Sequence, residues 1–352
     1  EATLSFTHVG ANVNLFDTPG IRTMTLTGSN IGENGFSILM ADQAGSPTNL
    51  SKTGTGTWVL NGPDTNTATG STTVQSGILI LDKTNATAVS GALSIGSGIE
   101  AATVVLRGTG GNQIANNSMV SLTGSGATAG VLRMNNQTET VAGLTSFDGG
   151  IVENESGVAG TGTLTVNTND FQSYFGILRD GDGNGIDGTL ALTKTGSGTL
   201  VLAGTTTHTG PTIVSGGTLS VDGTLVAGTI LQITGATVDG FGTIDSAVTI
   251  GNAGTLGTNG TISGAVQITN GGTLAGNSIV SGSVTAGAGG RISPGGGTTA
   301  GTLSIASLAL GLGSLLDFEF GAASDLISIS SAGGLTIDGG GELEAQLPTS
   351  GR

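Results

Sequence analysis

The sequence predicts an all-β protein: a parallel β-helix, or β-solenoid, with coils of about 18–21 residues. Three observations lead there. An apolar position recurs at Leu200, Leu219, Val238, Leu256, Leu274 and Ile292, at steps of 19, 19, 18, 18 and 18 residues. Glycine stands two places before Leu219, Leu256, Leu274 and Ile292, so turn chemistry travels with the apolar position. The composition fits a thin core, with 67 glycines in 352 residues, 3% aromatic and 9% charged. A period near 18 is too short for a helical repeat or a propeller blade, and it suits one coil. Coils would stack at about 4.8 Å, placing equivalent residues above one another as a continuous apolar spine. Glycine permits the positive-φ corners, while Thr and Val suit the strands.

Charge and composition exclude several roles. Disorder is excluded because 36% of residues are hydrophobic and few are charged. Nine basic residues against 24 acidic ones give a net charge of −15. The basic residues are scattered without a patch, so no nucleic-acid partner is expected. No apolar run approaches the roughly 20 residues of a spanning helix, so no membrane insertion is expected. The chain lacks cysteine, which a solenoid held by stacking tolerates. Glu1 leads directly into strand-like Ala2–Phe6, which reads as a mature chain after removal of a signal peptide, extracellular or on the cell surface.

In order, residues 1–49 read as an N-terminal strand and irregular first coils, around Leu4, Phe6, Met24 and Leu26. Residues 50–300 read as a shaft, with related units at 50–82 and 192–222 and regular coils over 217–294. In the first unit Gly56 and Gly77, like Trp58 and Leu79, lie 21 apart, because one turn is two residues longer. Trp58 shares the phase of Leu200 and is expected in the core or as an end-adjacent filler. Residues 142–191, which gather Phe147, Phe171, Tyr174 and Phe175, read as a lateral loop or bulged coil. Residues 301–352 form a strand-rich end segment in which the 18-residue phase fades. Some 17–19 coils would give a shaft on the order of 80–90 Å.

The stretch Leu-x-Lys-x-Gly-x-Gly-Thr-x-Val-Leu-x-Gly, followed by Thr-x-Val-x-x-Gly-x-Leu-x-x-Asp, occurs at Leu50 to Asp82 and at Leu192 to Asp222. It resembles the autotransporter-associated β-helix repeat, or passenger-associated transport repeat. The segments 140–144 and 162–166 resemble the spacer coils of such arrays, and 315–320 with 325–326 resemble their endings. The resemblance implies a right-handed parallel β-helix on a secreted or surface-exposed bacterial protein, a scaffold without implied catalysis.

Candidate sites are few. Asp180, Asp182, Asn184 and Asp187, with Gly185 at the sixth position, match the first half of a calcium loop. Ala191 stands where the bidentate Glu belongs, so an acidic turn is the plainer reading. A bound calcium would brace the segment without catalytic work. His8 and His208 sit in Thr-rich settings that suggest solvated turns rather than a triad or zinc site. Polysaccharide chemistry would need paired carboxylates, for which Asp239 with Asp245 or Asp317 with Glu319 are the candidates. No Arg, Tyr or Trp stands near to hold a sugar, so solvated acids are the plainer reading.

The strand-like ends carry the sharpest expectation. Leu4 and Phe6 at one end, and Phe318, Phe320, Ile327 and Ile329 at the other, would be unpaired edges that invite pairing. The reading is a structural protein that associates with itself head-to-tail into a homopolymer, a heterologous contact that grows instead of closing. The alternatives are a monomeric adhesin shaft binding surface glycans through 142–191, and, further off, a polysaccharide-active β-helix enzyme.

Overall fold

The computed structural model describes residues 3–7, 20–43, 45–110, 112–183, 187–226, 228, 230–296 and 299–338. Apart from a 3-10 turn at Gly126–Thr128, the regular elements are β-strands. The chain divides into two compact units: residues 1–168 with 172–191, and 169–171 with 192–352. Both are parallel β-solenoids, so the fold class read from the sequence is the observed one.

In the second unit the predicted spine is present residue for residue. Leu200, Leu219, Val238, Leu256, Leu274 and Ile292 stand opposite one another in successive parallel strands, and each is 0% exposed. At about 1.5–3 kcal/mol for each buried side chain, this column is a principal stabilising term. The spine continues to Leu316 opposite Ile292, a step of 24 residues that accounts for the fading phase. A second ladder runs from Thr212–Val214 through Ile230–Thr234 and Ala247–Gly251 to Val266–Ile268. Between these faces the backbones touch at glycine. A Cβ on Gly242 would lie 2.0 Å from the Gly223 carbonyl oxygen of the preceding coil, and Gly223 and Gly260 repeat the approach.

The first unit follows the same logic with looser spacing. Arg22–Leu26, Thr48–Lys52, Thr72–Val74, Leu93–Ile95, Met119–Leu122 and Gly143–Ser146 form one parallel ladder. Ser5–Phe6, Glu33–Phe36, Thr57–Leu60, Gly77–Leu81, Ala102–Leu106, Gly130–Arg133, Ile151–Glu153 and Ile177–Arg179 form another. Trp58 stands opposite Leu79, as their spacing predicts, and is buried.

Residues 142–191 are not a lateral loop. They hold the strands Gly143–Ser146, Ile151–Glu153, Thr161–Asn167, Phe171–Tyr174 and Ile177–Arg179. The irregularity lies in turn length, not in lost strands. Tyr174 is fully buried, while Phe147 and Phe171 project into solvent.

Buried polar side chains stitch coils together in the first unit. The Asn66 carboxamide accepts from Met40 N at 3.1 Å and donates to Ala88 O at 2.8 Å. The Gln113 carboxamide accepts from Lys83 N and donates to Lys83 O, both at 2.9 Å. These bonds satisfy backbone groups at corners that the strand ladders leave unpaired.

Candidate assembly site and the repeat corners

Ser5–Phe6 pairs on one side with Glu33–Phe36, placing Phe6 opposite the buried Phe36. Strand alternation sends Leu4 and Phe6 toward the interior, yet they remain 51% and 43% exposed, since no described coil lies over them. Phe6 stacks on Trp58 with ring centroids 6.2 Å apart at 14°, and tilts against Phe36 at 6.3 Å. With Met24 and Leu26 these rings line an apolar hollow of about 360 Å³. The Trp58 indole donates to Thr27 O at 3.0 Å, so its polar edge is satisfied, while Phe6 stacks along its face.

The other end shows the same exposure. Ile327 and Ile329 stand opposite Leu303 and Ile305; those partners are buried, whereas the two isoleucines are only half-buried. Leu335 and Ile337 stand opposite buried Leu308 and Leu310 and are 50% and 47% exposed. Phe318 and Phe320 stack at 6.1 Å, half-buried and exposed respectively. Leu335 and Ile337 were not among the end residues expected to pair. The alternation Leu335-Thr336-Ile337 was the available signal.

Two carboxylates of the Asp180 segment hydrogen-bond nearby backbone amides. One Asp180 carboxylate oxygen accepts from Leu190 N at 2.8 Å, and one Asp187 oxygen accepts from Gly183 N at 3.1 Å. Asp182 is exposed, and Asn184 lies outside the described residues. Among the described residues no three acidic or histidine side chains converge as a metal site. Beside the loop stands a charge ladder. Glu153, fully buried, receives Nε and Nη2 of Arg133 on one oxygen at 2.9 and 2.8 Å, and the same atoms of Arg179 on the other at 3.0 and 2.6 Å. The three residues stand in register on successive strands. Arg133 also reaches Glu155 at 2.5 Å, whose carboxyl burial pushes upward against that cation's pull.

Two corners are built alike. Lys52 is fully buried, and its ammonium donates to Thr53 O at 3.1 Å, Gly54 O at 2.7 Å and Ser76 O at 2.8 Å. Lys194, equally buried, donates to Thr195 O, Gly196 O and Gly216 O at 2.7, 3.1 and 3.1 Å. In each case the cation caps its own turn and ties it to the following coil. Burial pushes both ammoniums down to about 8. Three carbonyl acceptors match the three N–H donors of the charged form and hold it at neutral pH. Residues 50–81 and 192–221 each match the passenger-associated-transport-repeat family. The chain carries two passenger-associated transport repeats. This repeat is a structural unit of passenger domains, not an enzyme family, and its Lys is the corner clamp just described. No curated protein and no solved structure matches the chain significantly. No described helix is long and apolar enough to cross a membrane.

His208 is buried, not solvated, and its Nε2 lies 2.9 Å from the Thr212 hydroxyl; the Thr-rich context hid a corner residue. His8 lies outside the described residues. Asp239 ends one strand and Asp245 follows the next, and Asp245 accepts from the Ser263 hydroxyl at 2.6 Å. Asp317 pairs with Arg291 at 2.5 Å. Glu319 N donates to Asp325 at 2.9 Å.

Proposed function

We propose that this chain is an extracellular structural protein of a bacterial surface, a rigid β-solenoid that associates head-to-tail into a filament and performs no catalysis. One observation carries the reading. Leu4 and Phe6 at one end, and Leu335 and Ile337 at the other, occupy core positions by register and alternation yet stay about half exposed. Exposed strand edges with apolar inward residues favour pairing. The repeats support a passenger-type scaffold at the surface, and the ion-paired Asp317 and hydrogen-bonded Asp245 support a structural use of the acids. Negative-stain electron microscopy of the purified chain across a dilution series tests it: fibres growing with concentration are expected. Single particles at every concentration would refute it.

A second reading is a monomeric adhesin shaft for surface glycans. It draws on Phe147, Phe171 and Phe241, which are 91%, 70% and 76% exposed away from the end strands. Glycan-array binding by the monomeric chain, lost on replacing these rings, would favour it.

A further inference from the structure

We propose that Ser5–Phe6 of one copy adds as the next parallel strand on the edge of Leu335–Ile337 of another that no described strand covers, with Ser5 opposite Thr336. The inference rests on the head-to-tail reading and specifies its joint. Within the chain Leu308 N donates to Gly334 O at 2.7 Å, and Asp338 N donates to Leu310 O at 2.9 Å. The even-numbered peptide groups of this strand therefore face its neighbour. Those of Leu335 and Ile337 face the free edge, because peptide groups alternate along a strand.

At the other end Gly35 N donates to Leu4 O at 2.8 Å, and Ser37 N donates to Phe6 O at 2.9 Å. Leu4 and Phe6 thus face inward along the ladder, and the N–H and C=O of Ser5 point to the free edge. Setting Ser5 opposite Thr336 lets Ser5 N–H donate to Leu335 C=O and Ile337 N–H donate to Ser5 C=O. This is the pattern of the ladders inside the protein. The same register lays Leu4 over Leu335 and Phe6 over Ile337, two apolar pairs on the interior side. A slip of one residue would turn Leu4 and Phe6 to the outside.

A free strand edge is filled by a β-strand. The occupant needs apolar inward residues two apart and an amide edge facing back, and residues 4–6 of a second copy supply both. Leu335 and Ile337 are chosen over Ile327 and Ile329 because they are the more exposed of the inward pairs.

The absence of cysteine gives a clean test. Ser5 and Thr336 are exposed, and parallel neighbours stand about 4.8 Å apart, inside the disulfide range of about 4.4–6.8 Å between Cα atoms. The double variant Ser5→Cys/Thr336→Cys, oxidised without reductant, is expected to give a ladder of covalent oligomers that reductant collapses. Ser5→Cys/Ser328→Cys, which addresses the neighbouring terminal strand, is expected to give none. In the unaltered chain, hydrogen exchange at residues 335–338 is expected to slow as concentration rises. Filaments without the Thr336 ladder, a ladder from the Ser328 pair, or filaments with unchanged exchange at 335–338 would overturn this joint and leave head-to-tail association standing. Absence of filaments and of any ladder would overturn both.

Discussion

Glu139 makes a signed prediction about pH. Its side chain, on Thr138–Val141, is 1% exposed. One carboxylate oxygen accepts from Gln113 N at 2.8 Å and Ile114 N at 3.3 Å, while the other is buried without a hydrogen-bond partner among the described residues. Burial pushes the carboxyl up from 4.5 to about 7, against the pull of those amides. Between these values the folded chain keeps a proton that the unfolded chain has released. The unfolded state binds fewer protons there, so stability falls as pH rises from 4.5 to 7; below that window the term is constant. The shift of 7 − 4.5 = 2.5 units corresponds to about 3 kcal/mol. Glu139→Gln keeps an acceptor for the two amides and removes the titration. The variant should match the parent near pH 4.5 and exceed it by about 2–3 kcal/mol at pH 7.5. Guanidinium unfolding of both proteins across that range measures the difference, and hydrogen exchange at 138–141 reads it locally. Parallel stability curves for the two chains would refute the argument.

Three further outcomes follow from the geometry. Replacing Lys52 or Lys194 by Met leaves turn carbonyls without their cation, an expected loss of about 2–4 kcal/mol by chemical unfolding. Because burial lowers both ammoniums to about 8 from 10.5, the folded chain releases protons first above pH 8. Stability should therefore rise from pH 8 toward 10.5, and each Met variant should lose its share of that slope. Gly242→Ala puts a Cβ 2.0 Å from Gly223 O, and a loss of more than about 2 kcal/mol, read as a lower melting temperature, is expected. Glu153→Ala leaves two facing guanidiniums in place of a bidentate ladder, with a cost of about 3 kcal/mol in denaturant titration that neutral surface substitutions should not reproduce.

Periodic parts of the fold were legible because each coil imposes the same demand on the same position. Leu200 to Ile292 could be aligned by counting, since register in a parallel stack converts spacing directly into contact. In the 142–191 region the lateral-loop alternative fails and coils with irregular turns stand, because Tyr174 is core while Phe147 and Phe171 point outward. Buried polar residues were hidden for a different reason. Asn66, Gln113 and Glu139 answer to individual orphan backbone groups, and His208 to the Thr212 hydroxyl, which no period announces. The repeat lysines lie between these cases, with a regular position but a clamping role that only the carbonyl geometry reveals. At the end strands, the same alternation that identified Leu4 and Phe6 also runs through Leu335 and Ile337, but the change of spacing after Ile292 obscured their phase.

That contrast bears on where function resides. In a solenoid each inner coil is covered on both sides, so stability accumulates as nearest-neighbour terms that are nearly the same from coil to coil. A coil lacking a neighbour forfeits one such term and exposes side chains that the pattern would otherwise bury. Burying the exposed portions of Leu4, Phe6, Leu335 and Ile337 is worth about 1 kcal/mol each on transfer grounds, to which the strand-edge hydrogen bonds add. A joint of this size is weak alone and must recover the entropy of association. The proposed assembly should therefore be steeply concentration-dependent and reversed on dilution. Fibres that persisted unchanged after extensive dilution would require a larger interface than these four residues and two hydrogen bonds provide.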